Sequence, residues 1–238
     1  MAEPYLRCPE SWYRGTLEPN SRSGLIARVE TGSTPSTSRD DYWGGGIFWL
    51  TPKEITQLTD GLYVSRTERT ITEHGLLSCS TKLLPPGTVL LTKRAPVGAV
   101  AVNAVPMATN QGFLNFICGP KLRPLYLAYW FRVNRPYLEI IANGSTYPEL
   151  YRGDLFEFEI AVPTLYQQDR ILEVINAFQF IILLGSPIEQ SVNSPTSMIA
   201  IQRQSERLRK IRDYILPLLL SGQLDASKVN TRFLGVNT

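Results

Sequence analysis

The chain has 238 residues, 43% hydrophobic and 19% charged, which excludes a disordered or fibrous polymer and allows one sizeable core with or without an appendage. Lysine and arginine number 24 against 21 acidic residues, so the net charge is only +3 and an anionic partner must be met by locally focused charge. Three scattered cysteines, Cys8, Cys79 and Cys118, fit no zinc spacing, and the N-terminus shows no basic-then-apolar leader. The longest apolar stretch, Val174 to Leu184, is interrupted by Asn176 and Gln179 and is too short to cross a bilayer. A cytoplasmic protein with no membrane partner is expected.

Residues 1–165 read as short strands and turns with a few helices. The most informative stretch runs from Gly32-Ser33-Thr34-Pro35-Ser36 to Tyr42-Trp43-Gly44-Gly45-Gly46-Ile47-Phe48-Trp49-Leu50-Thr51. It sets aromatic rings among glycines and hydroxyls, is too rich in turn formers for a core helix, and is suited to face bases or sugars. A helix is expected over Pro52–Leu58. Strands are expected over Thr88–Thr92, Val97–Val105 and Phe113–Cys118, which are rich in β-branched residues or bounded by turn formers. A longer helix is expected over Pro124–Ile141, with Pro124 in its first turn and Leu127, Trp130, Phe131, Leu138 and Ile141 near the helical period. Strands with interspersed helices and no regular βαβ alternation predict an α+β domain.

From Tyr166 the pattern changes. Ile171, Val174, Ile175, Phe178, Ile181 and Ile182 give an apolar stripe along a helix of about 18 residues, roughly 27 Å. Gly185-Ser186-Pro187 and Asn193-Ser194-Pro195 break it. A second helix is expected from Thr196 to Ser221, stopped by Gly222, with Pro217 kinking or loosening its last turn. Its residues Ile201, Leu208, Ile211, Ile215 and Leu218 form a heptad-like seam, with Gln204 at one seam position. Packing within a helical hairpin and pairing between two chains both fit that seam. The expected domains are 1–165 and 166–238.

Catalytic constellations are missing. There is no glycine-rich cofactor fingerprint, no phosphate loop ending in Gly-Lys-Ser or Gly-Lys-Thr, and no Asn/Asp-Pro-Pro-aromatic motif of the kind an amino-methyltransferase uses. Asp154, Glu157 and Glu159 are the densest acidic cluster but lack the lysine a magnesium nuclease would need; the solvated side of a strand or a turn cap suits them better. His74 is the sole histidine, and it sits in an expected turn before Gly75. The chain is therefore read as non-catalytic, with no metal and no cofactor of its own.

Trp12 after Pro9-Glu10, then Gly32–Ser36 and Tyr42–Trp49, resemble the opening of a target-recognition domain in the specificity subunit of a type I restriction-modification enzyme. The resemblance continues in order through Ile71-Thr72-Glu73-His74-Gly75-Leu76, Leu84-Pro85-Pro86-Gly87-Thr88-Val89-Leu90-Leu91 and Arg94-Ala95-Pro96-Val97-Gly98. Asn110-Gln111-Gly112-Phe113, Gly144-Ser145-Thr146, Val162-Pro163, Gln167-Gln168 and Leu208–Leu224 complete it. Each motif is weak alone; the ordered series is specific. The resemblance implies a single-recognition-domain, half-length form with a helical spacer and docking arm, completed by a second copy in a homodimer or by another half-length subunit, that binds double-stranded DNA. It also implies a modification subunit that methylates adenine with S-adenosylmethionine and a restriction subunit that cleaves with ATP and magnesium. The resemblance favours the intermolecular use of the seam.

A sequence reader needs phosphate contacts for position and base-edge contacts for discrimination. Four segments offer such groups: Thr34, Ser36, Thr37, Ser38 and Arg39, leading to Tyr42 and Trp43; Lys93 and Arg94; Asn110 and Gln111; and Ser145, Thr146 and Tyr147. Each has a plainer alternative. Trp43, Phe48 and Trp49 suit a core as well as a platform, Asn110-Gln111-Gly112 suits a turn, and Lys93 and Arg94 suit a surface ion pair. Two competing functions stay open: a small DNA-modifying enzyme with an unrecognised active site, and a silent or truncated recognition cassette that binds partners without reading DNA.

Overall fold

A computed structural model describes residues 7–19, 21–58, 61–142, 148–184 and 195–229, apart from the side chains of residues 181, 183, 184 and 195–202. In chain order the first elements are β1 (Tyr13–Thr16), β2 (Ile26–Thr31), β3 (Trp43–Leu50), α1 (Pro52–Thr56), β4 (Tyr63–Val64), β5 (Arg69–Ile71) and α2 (Glu73–Leu77). Four strands follow: β6 (Val89–Thr92), β7 (Val100–Asn103), β8 (Met107–Thr109) and β9 (Phe113–Cys118). Then come α3 (Pro124–Val133), α4 (Arg135–Ile141), α5 (Arg152–Phe156), β10 (Glu159–Val162), α6 (Leu165–Leu184) and α7 (Pro195–Leu220). The architecture is α+β, as the interspersed strands and helices predict.

The described chain divides into two units. One comprises Arg14–Val162; the other comprises residues 7–13 together with the chain from Pro163. The first unit is built on a five-stranded sheet in the order β2-β9-β6-β7-β4, antiparallel except where β4 runs parallel to β7. Every residue of β6 and β7 is buried, the pattern of a strand covered on both faces. On one face α3 packs against β6 and β7, with the Phe116 and Phe131 rings 5.2 Å apart. On the other, Leu90, Ala101 and Phe113 join Leu50 and Met107, which come from a second sheet ordered β5-β3-β8. A two-stranded sheet joins β1 and β10.

Several boundaries differ from expectation, each for a local reason. The strand expected over Val97–Val105 is confined to Val100–Asn103, because Gly98 at φ +76° belongs to the turn from β6. The helix expected over Pro124–Ile141 breaks at Asn134. Pro136 offers no backbone N–H there, and the Asn134 side-chain amide donates to the Trp130 carbonyl at 2.8 Å. His74 lies in α2, not in a turn, and Thr72 caps that helix by accepting from Gly75 N at 3.0 Å. Asp154 caps as expected, accepting from Tyr151 N at 3.3 Å at the start of α5.

In the second unit α6 packs along α7. Of the expected α6 stripe, Ile171, Val174, Ile175 and Ile182 are buried and Phe178 is half-buried, while the Ile181 side chain lies outside the described residues. The α7 face that is buried is Ser205, Arg212, Leu216 and Leu219, not the heptad-like seam. Leu208, Ile215 and Leu218 are half-buried and Ile211 is exposed; the Ile201 side chain lies outside the described residues. Arg212, nearly buried, donates to Gln179 Oε1 on α6 at 2.9 Å, a charged group within a helix pair. Helix α7 continues through Pro217 to Leu220 and turns at Gly222, φ +71°. A Cβ on Gly222 would lie 2.8 Å from the Trp12 ring, so the 7–13 segment sits tightly against the end of this helix.

Candidate nucleic-acid interface

The Gly32–Arg39 loop follows β2 and rests on the end of β8. Gly32 is required by contact: a Cβ would stand 2.1 Å from the Thr109 carbonyl oxygen and 2.2 Å from that of Asn110. Ser33 N donates to Thr109 O at 3.0 Å, and the two tryptophans of β3 fasten the loop from the other side. Trp49 Nε1 donates to Ser33 O at 3.1 Å and Trp43 Nε1 to Ser36 O at 3.0 Å.

The same contacts recruit the 109–112 segment. Thr34 Oγ1 donates to Gln111 Oε1 at 2.6 Å across 77 residues of chain. Asn110 makes the turn, its Oδ1 accepting from Gly112 N at 2.8 Å, while Asn110 N donates to Leu50 O at 3.0 Å. The chain of contacts then passes to Lys93, whose N–H donates to Gly112 O at 2.8 Å, and on to Leu150, which donates to Lys93 O at 2.9 Å. Three of the four expected segments, 34–43, 93–94 and 110–111, are thus joined in one network. The fourth, with Ser145 and Thr146, lies outside the described residues.

Electrostatics divide the cations of this region. Lys93 Nζ and Arg94 Nε share Glu149, at 2.7 and 2.9 Å, and the Glu149 side chain is only 15% exposed. Burial opposes its charge, yet hydrogen bonds from Lys93 and Arg94 prevail and hold the carboxyl below its ordinary range. Arg39 makes a two-pronged pair with Asp41 at 2.8 and 2.9 Å and lies 5.0 Å from the Tyr42 ring. The hydrogen bond from Arg39 lowers the Asp41 pKa, and His74 Nδ1 stands 3.8 Å from the same carboxylate.

The aromatics take different places. Trp49 is buried and Phe48 half-buried against the core, so neither is a platform. Trp43 is half-buried, edge-on to Trp49 with centroids 5.0 Å apart, and the guanidinium carbon of Arg69 lies 3.5 Å over its ring. The β3–β5 register sets Arg69 opposite Trp49, and an irregularity between Trp43 and Ile47 brings Trp43 within reach. Gly45 permits this close pairing: a Cβ there would be 2.5 Å from Thr72 Cα. Spacing along the chain carries no signal linking residues 43 and 69, so Arg69 was not among the sequence candidates. No group of three or more potential metal-ligating side chains occurs among the described residues, and no helix there is long and apolar enough to cross a membrane.

An α+β unit that gathers hydroxyl, amide and cationic side chains onto loops at one site presents the kinds of group that recognition of a polymer uses. The chain belongs to the family described as the type I restriction modification DNA specificity domain, whose model matches residues 21–193. It is 44% identical over 159 residues to the type I restriction enzyme MjaIX specificity subunit of Methanocaldococcus jannaschii, covering 66% of this chain and 37% of that protein. It is 27% identical over 205 residues to the EcoR124I/EcoR124II specificity subunit of Escherichia coli, covering 83% of this chain and 47% of that one. The chain thus spans about half or less of the relatives it matches. In fold it is similar to a chain from a study of complex assembly and conformational transition in the type I R-M system, with TM-score 0.60, 20% identity, and coverage of 94% of this chain and 49% of that one. The HsdS subunit of Thermoanaerobacter tengcongensis is also similar, with TM-score 0.55, 20% identity, and coverage of 94% and 48%.

Proposed function

We propose that this chain reads a DNA sequence on behalf of catalysts carried by other polypeptides, as a specificity subunit with one recognition domain. The observation that carries this reading is the joining of residues 34–43, 93–94 and 110–111 in one hydrogen-bonded network, within a chain that belongs to the DNA specificity family. Thr34, Ser36, Arg39, Asn110 and Gln111 supply groups for base edges and phosphates, and Lys93 and Arg94 supply charge. Ser145 and Thr146 belong to the same proposal on sequence grounds. In this reading the chain performs no reaction itself. A modification subunit supplies adenine methylation with S-adenosylmethionine, and a restriction subunit supplies ATP- and magnesium-dependent cleavage.

The helical unit is the docking arm in this proposal, and two copies pair through it. Leu208, Ile211, Ile215 and Leu218 support the pairing, because α6 takes another face of α7 and leaves them partly open; Ile201 extends the seam by sequence. Twofold pairing predicts a palindromic bipartite site. At 26 residues α7 is about 39 Å long, near one turn of duplex at about 34–36 Å.

Reconstitution with the cognate modification subunit, followed by mapping of methylated adenines across a random DNA library, tests the reading. A defined motif is expected; random or absent methylation overturns it. Light scattering tests the pairing separately, and a strict monomer at high concentration with and without DNA rejects it.

A further inference from the structure

Arg69 differs from the cations singled out by sequence. Arg39 is occupied by Asp41, and Lys93 and Arg94 by Glu149. Lys53, on the neighbouring helix α1, lies 3.9 Å from Glu68. Arg69 is exposed, and among the described residues it forms no ion pair.

What holds Arg69 is aromatic. Its guanidinium carbon is 3.5 Å from the Trp43 centroid, the separation of a stacked pair, and 5.6 Å from that of Trp49. Stacking takes one face of the guanidinium and leaves the in-plane N–H donors, the part that forms two-pronged bonds, unused by the ring. The two indoles that carry it are the same two that fasten the Gly32–Arg39 loop, through Ser36 O and Ser33 O. A cation with restricted freedom, no carboxylate to displace and a mount shared with the recognition loop has the properties required of a contact to an anionic polymer.

We propose that Arg69, stacked on Trp43, is a DNA-contacting residue of the interface, giving charge-assisted bonds to paired acceptors on the duplex. Those acceptors are two phosphate oxygens or the O6 and N7 of a guanine. The inference rests on the reading of this unit as a DNA reader.

The test uses the complex reconstituted with the cognate modification subunit, with DNA affinity measured over a salt series and methylated sites mapped in parallel. For a phosphate contact, Arg69→Ala weakens binding to all sequences and lowers the slope of log affinity against log salt by about 0.9. For a guanine contact, the methylated motif relaxes at one position and affinity for the original site falls by about 10-fold or more. Either result sustains the proposal and identifies the acceptor. Arg69→Gln, which keeps a planar head on Trp43 without the charge, gives the same direction of change and serves if the alanine variant melts early. Affinity, salt slope and motif all unchanged in a folded Arg69→Ala or Arg69→Gln complex overturn the proposal. Failure of the unsubstituted complex to bind or methylate at a defined motif overturns the reading of the unit itself, a distinguishable result.

Discussion

The two units are built on opposite principles. The first assembles its candidate surface from segments distant in sequence, with Thr34 bonded to Gln111 and Lys93 N–H to the Gly112 carbonyl. The second relies on residues three, four and seven apart, such as Ile171, Val174, Ile175 and Ile182 on α6 and Ser205, Arg212, Leu216 and Leu219 on α7. A non-local surface depends on a few close backbone approaches that cannot yield. A helical pair spreads its stability over many apolar contacts, each of limited weight. Damage to the first should therefore be concentrated at single positions, and damage to the second graded.

The largest expected effect tests that contrast directly. Gly32→Val places side-chain carbons against the Thr109 and Asn110 carbonyls and is expected to cost about 4 kcal/mol or more, with loss of motif-directed methylation. A variant with unchanged melting would remove the basis for a rigid loop mount. Next, Leu219→Ala, at a fully buried position of α7, is expected to cost about 2–5 kcal/mol in denaturant titration. Gln179→Ala removes an acceptor from the buried Arg212 and is expected to cost about 1–3 kcal/mol, which the same titration measures. The smallest effect on stability, and the sharpest on charge, comes from Glu149→Gln. It releases Lys93 and Arg94 from their shared carboxylate and is expected to raise the salt slope of DNA binding by about 0.9. An unchanged slope returns both cations to a structural role.

The Glu149 carboxyl also sets a pH dependence. Its folded-state pKa is lowered, so its contribution to stability is present above the unfolded-state value of about 4.3 and is lost as pH falls through the folded value. Acid titration of Glu149→Gln should lack that component. A curve identical to the parent's would show that the carboxylate is not linked to folding.

Legibility in the sequence followed the same division. The α6 stripe was readable because a helix states its buried face in its period, and β6 and β9 were readable from compact runs of strand formers. The Trp43–Leu50 stretch showed itself as unusual, but its eight-residue strand was not readable, since three successive glycines mask strand propensity, and only Gly45 among them is held close to the end of β5. Asn134 was missed as a helix break because the apolar period continues across it, although Pro136 is visible in the sequence. On α7 the heptad spacing is a pattern in the sequence, but period alone does not say which of two adjacent stripes meets α6. Segments 34–43, 93–94 and 110–111 were legible as polar loops framed by glycine or proline. Their union was not, because it depends on strand register.

The fastening of the Gly32–Arg39 loop has a consequence for how far its sequence can vary. Its ties to β8 and to both indoles run through main-chain atoms, Ser33 N, Ser33 O and Ser36 O, which every residue other than proline provides. Positions 36–38, all exposed, are consequently free to be rewritten while the mount stays intact. Selection can exchange the lettering here without recasting the type.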